Sequence, residues 1–163
     1  MNLLSFMRNA VKNIGGTEGE LCDGFQFTME QWSVLKKKSK TAENGVIYAF
    51  AVKLEDAKKI ELINEASKLK TLNEGSRKNK AVFGDYYLLY WGKSNVINGR
   101  GQAHVKGHEN GNLHLNVYEC LKDCPMEYAF IYVENYKKIE DELIKNYPPM
   151  LKTFSIEKWR EQK

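Results

Sequence analysis

Between Tyr90 and His104 the chain collects side chains suited to handling a phosphate. The run Tyr90-Trp91-Gly92-Lys93-Ser94 is followed by Arg100 and His104, and a spacing of four residues puts those last two on one face of a helix. Tyr86 to Trp91 reads as an aromatic strand that stops at Gly92, with Ser94 or Asn95 placed to cap the helix carrying Arg100 and His104. Such a handover aims a phenol, a guanidinium and an imidazole into one pocket. Cutting a phosphodiester asks for a base to activate water, positive charge on the developing phosphorane and help for the leaving oxygen. This set could supply each of them.

Two further stretches complete the set. Upstream, Gly45-Val46-Ile47-Tyr48 opens a second aromatic and β-branched strand, so Tyr48 lies beside Tyr90 if the two strands pair. Downstream, Tyr136 to Tyr147 reads as a helix begun by Asn135 and ended by Pro148-Pro149. At about 100° per residue Tyr136, Ile139, Leu143 and Tyr147 form one stripe, with Glu140 inside it and Asp141 and Glu142 outside. A carboxylate on the core side has to be paired, bound to a metal or placed at a cleft, because an isolated buried charge is too costly.

Taken in order, Gly45-Val46-Ile47-Tyr48, Tyr90-Trp91-Gly92, Arg100, His104 and Glu140 resemble the signature of the GIY-YIG nuclease superfamily. The resemblance covers about residues 45 to 153. It implies that Glu140 holds one divalent ion, Mg²⁺ or else Mn²⁺, that Arg100 binds the scissile phosphate, and that Tyr48 is the base or relays to it. Tyr90 and His104 would orient water and accept protons. A phenol with a reference pKa of about 10 is a poor base at neutral pH unless cations stabilise its phenolate, a role open to Arg100 and the metal. Lys93 is a further cation within reach. The family often has an asparagine shortly after the prolines that follow this helix. Here that place reads Pro148-Pro149-Met150-Leu151-Lys152-Thr153, which leaves Lys152, Thr153 or Asn146 to fill it. The resemblance implies a metal-dependent DNA endonuclease. The missing asparagine supports the alternative, a GIY-YIG-like domain that binds nucleic acid without cutting it, and a third possibility is an interaction module in which the tyrosines are core.

The elements that must position these residues suggest an α+β fold with a small central antiparallel sheet flanked by helices. Val46 to Lys53 is apolar on both alternating faces, as a strand covered twice would be. Leu54 to Leu72 carries Leu54, Ala57, Ile60, Ile63, Ala66 and Leu69 at helical spacing and reads as an insertion, 54–73, between the two tyrosine motifs. A second strand spans Val82 to Trp91. Leu113, Val117, Cys120 and Leu121 follow a helical stripe, and Tyr128 to Val133 is a third two-faced strand. Residues 1–44 read as an extension, broken at Gly15-Gly16-Thr17-Glu18-Gly19, with a short helix started by the Thr28 to Gln31 capping box and running through Trp32 and Leu35. Residues 154–163 suit a terminal helix with Trp159 on the core. The nuclease-like unit is then 45–153.

Composition narrows the class. Hydrophobic residues at 42% and charged residues at 28% fit a globular chain of 163 residues rather than a disordered one. The net charge of +4 is concentrated: Lys36, Lys37, Lys38 and Lys40 lie together, as do Arg77, Lys78 and Lys80. With Lys93 and Arg100 they would form a DNA-facing set, although a lysine run alone is usually a solvated face. No apolar run approaches the roughly 18 residues of a membrane helix, and Met1 to Arg8 lacks the pattern of a secretory signal, so a cytoplasmic protein with no membrane partner is expected. Three cysteines, Cys22, Cys120 and Cys124, cannot all pair within one chain, and Cys120 and Cys124 are expected to be idle thiols rather than half of a zinc site. Nothing in the pattern sets an oligomeric state.

Overall fold

The apolar run after Gly45 becomes the spine of the sheet. Strand β1 (Glu18–Phe27) and strand β2 (Lys40–Lys53) come first, and β2 carries Val46, Tyr48, Phe50 and Val52 on one face and Ile47, Ala49 and Ala51 on the other, all buried. Only a strand covered on both sides accommodates that pattern. The computed structural model describes residues 1–31, 40–74, 80–97 and 113–153. It sets β2 between β3 (Tyr86–Ile97) and β4 (Met126–Val133), in the order β1-β4-β2-β3, with every pairing antiparallel. The protein is α+β, a small antiparallel sheet flanked by helices.

Two helices cover one face of this sheet. From α1 (Leu3–Asn13) come Leu3, Met7, Ala10 and Val11, and from α3 (Tyr136–Asn146) come Ile139 and Leu143. They close over Ile47, Ala49, Trp91 and Ile131. The opposite face lies under Leu62 and Ala66 of α2 (Asp56–Leu69), under two 3-10 turns, Leu115–Val117 and Glu119–Leu121, and under Met150 and Leu151. After Pro148-Pro149 the chain lies along β3. The Met150 and Leu151 N–H groups donate to the Leu88 and Leu89 carbonyls, and Lys152 N–H donates to Thr71, which satisfies backbone groups of an outer strand.

Several elements differ from expectation. Residues 1–44 are not an appendage, because α1 and β1 supply a core layer and an outer strand, and β2 begins before residue 45. Asn2 caps α1 by accepting from Ser5 N–H at 2.9 Å. The break at Gly15, where φ is +80°, ends at Thr17, and Glu18 and Gly19 are already strand. Half of the capping box forms: Thr28 N–H donates to the Gln31 side chain at 3.2 Å, where the chain makes a 3-10 turn over 29–31. The continuation through Trp32 and Leu35 lies outside the described residues, as do Arg77, Lys78 and the 154–163 segment. In α2 the buried line is Leu62 and Ala66, with Ile63 and Leu69 half-buried, whereas Ala57 is exposed and Ile60 is 60% exposed. Packing of one side chosen by the sheet overrides a stripe that sequence spacing alone leaves broad. The 113–121 stretch buries Leu113, Cys120 and Leu121 but in tight 3-10 turns rather than one α-helix. Asn135 precedes α3 in a left-handed conformation, φ 56°, without a side-chain cap bond. That conformation suits asparagine better than most residues, so its role is to turn the chain. Among the described residues no helix is long and apolar enough to cross a membrane.

Candidate functional site

The register of β2 against β3 sets Tyr48 opposite Gly92 and Phe50 opposite Tyr90. Residues directly across a ladder share a face, and the Tyr48 and Tyr90 ring centroids are 6.4 Å apart. Tyr48 is 2% exposed, and its ring lies across the backbone of β3. A Cβ at Gly92 would meet Tyr48 Cζ at 2.1 Å and its hydroxyl oxygen at 2.4 Å. Gly92 is therefore glycine so that an aromatic ring can cross the strand. Tyr128 of β4 joins the same face, 5.9 Å from Tyr48 and 5.1 Å from Phe50. Its hydroxyl is buried with no hydrogen-bond partner among the described residues, and burial pushes its pKa up.

The next residue of β3 faces the other way. Lys93 lies opposite Ile47, on the side covered by α3. Two contacts pin α3 there: Trp91 Nε1 donates to the Tyr147 carbonyl at 2.8 Å, and Lys93 Nζ donates to Glu140 Oε1 at 3.0 Å. A third feature fixes the start of the helix. Gly45 has φ +78°, and a Cβ there would sit 2.4 Å from the Tyr136 ring, so both backbone conformation and close approach require glycine. Glu140 shares the buried stripe with Ile139 and Leu143, while Asp141 is exposed and Glu142 half-buried. Burial raises the Glu140 pKa, and the hydrogen bond and charge of Lys93 pull it back down. In turn the bond to Glu140, then its charge, raises the pKa of Lys93.

The predicted residues thus come together in two pairs, Tyr48 with Tyr90 and Lys93 with Glu140, on opposite faces of the sheet. The strand does not hand over to a helix at Gly92. Strand β3 continues through Ser94 and Asn95 to Ile97, so those two residues are strand members rather than helix caps. The hydrogen-bonded ladder with β2 carries the chain past a glycine that local propensity treats as a stop. Arg100, His104, Lys36, Lys37 and Lys38 lie outside the described residues. Lys40 opens β2 opposite Ile97, and the exposed Asn146 donates to the Glu142 carbonyl at 2.7 Å.

The chain matches no protein-family model, no curated protein and no solved structure.

Glu140 supplies hard oxygen donors, and among the described residues no group of three His, Cys, Asp or Glu surrounds a common point. That donor set does not suit a zinc cage. A lone carboxylate is the kind of donor Mg²⁺ takes together with water and substrate phosphate, and in this structure Oε1 of Glu140 accepts from Lys93. Among the described residues no third His, Cys, Asp or Glu joins Cys120 and Cys124 in a group that could hold a metal. Cys120 and Cys124 are buried free thiols, burial pushes Cys120 up to about 12 and Cys124 upward, and Cys124 donates its proton to the Cys120 carbonyl. Sequence reasoning overlooks Tyr128. Its alternation with Phe130 and Tyr132 was visible, but only the register with β2 places it beside Tyr48.

Proposed function

We propose that this protein is a metal-dependent endonuclease of the GIY-YIG type that hydrolyses phosphodiester bonds in DNA. The observation that carries the reading is the cross-strand pairing of the two tyrosine-glycine motifs, with Tyr48 laid over Gly92 beside Tyr90. A ring over a strand glycine also serves packing alone, so what supports the reading is that the two phenols meet on one face in the order the motifs set. In this scheme Tyr48 takes a proton from the attacking water directly or through a relay, and Tyr90 orients that water. Arg100 binds the scissile phosphate, His104 accepts protons, and Lys93 adds a second cation for the phosphate. Glu140 would hold Mg²⁺ or Mn²⁺, and because Glu140 lies with Lys93 on the face away from the tyrosines, the scheme requires the phosphate to span the edge of β3 for that charge to serve the developing phosphorane.

The Lys93 to Glu140 ion pair favours a second reading. A buried carboxylate already satisfied by a lysine, on the face away from the phenols, also suits a domain that binds nucleic acid without cutting it. One experiment separates the two. Purified protein is incubated with supercoiled DNA in Mg²⁺, Mn²⁺ or EDTA beside Glu140→Ala, Glu142→Ala and Arg100→Ala. The nuclease reading expects metal-dependent nicking that is lost in Glu140→Ala and Arg100→Ala and kept in Glu142→Ala. Salt-dependent DNA binding with no cutting in any metal would establish the second reading, and Glu140→Ala cutting at the wild-type rate would refute the first.

A further inference from the structure

We draw no further inference here: the strongest candidate, the cavity of about 310 Å³ between the start of α1 and strand β1, lined by Asn2, Asp23, Gln26 and the buried Glu127, carries nothing, because Glu127 already accepts from Leu3 N–H at the first turn of α1 and Asp23 from Gly24 N–H, which leaves acidic groups at a helix N-terminus and nothing in the structure that shows what would fill the space.

Discussion

Replacing Gly92 by alanine should destabilise the protein through one identifiable contact. The new Cβ would fall 2.1 Å from Tyr48 Cζ, with Cε2 and the hydroxyl oxygen each at 2.4 Å, well inside van der Waals contact. Tyr48 has little room to retreat, since it is 2% exposed and ringed by Phe50, Tyr90 and Tyr128 at 5.9 to 6.5 Å between centroids. Overpacking of this kind costs about 1–3 kcal/mol, offset by roughly 0.4–1 kcal/mol of reduced unfolded-state freedom. A net loss of about 1–1.5 kcal/mol lowers Tm by about 2–6 °C in a chain of this size. A double-mutant cycle isolates the cause: in a Tyr48→Ala background the ring is gone, so Gly92→Ala should be neutral or slightly stabilising. Thermal melts of the four proteins read the result. An equal penalty with and without the Tyr48 ring, or no penalty at all, would refute the claim that Gly92 exists to let the ring cross. If the phenol takes part in cutting, Gly92→Ala should also slow DNA nicking well below its own melting temperature.

Two other perturbations follow from buried polar groups. Tyr128→Phe removes a hydroxyl with no partner among the described residues and should raise stability by about 1 kcal/mol, seen as a Tm increase of a few degrees; a Tm decrease would show that the hydroxyl has a partner. In native protein a thiol reagent at pH 8 should modify the half-buried Cys22 and leave Cys120 and Cys124 until unfolding. The same burial gives a pH signature. The folded Cys120 thiol keeps its proton up to about 12 while its ordinary value is 9.0, so between those pH values the folded state binds more protons and stability falls as pH rises. Tm measured from pH 8 to 11 should decline less steeply in Cys120→Ala than in wild type.

Local pattern carries the two-faced strands and α3. In β2 from Val46 to Val52 and in β4 nearly every residue is apolar, along the Tyr136 stripe every third or fourth is, and burial follows those patterns, including the inward placement of Glu140. α1 has the same kind of signal, with Leu3, Phe6, Met7, Ala10 and Val11 on one face behind an Asn2 cap. β1 has no comparable signal. Its Gly19 and Gly24 and its irregular alternation give weak strand propensity, and it forms because β4 pairs with it. For the site, the two glycines announce tight backbone approach but not the rings that approach them. That Lys93 meets Glu140 depends on α3 crossing over β3, a crossing also held by the Trp91 bond to the Tyr147 carbonyl and by the Gly45 approach to Tyr136, neither of which sequence spacing announces.

The pairing of β1 with β4 also orders events in time. Glu18 lies opposite Val133 and Phe27 opposite Met126, so as the chain emerges during synthesis strand β1 waits for a partner made about a hundred residues later. β2 and β3 meet across a shorter loop and need only α2 between them, so their pairing is the cheaper first closure. β4 then docks on β2 and offers its free edge to β1, and α1 comes down with it. By loop-closure cost alone, the N-terminal layer of the core, made well before its partner strand, is expected to fold last. Until then its apolar stripe is left to whatever binds nascent hydrophobic segments.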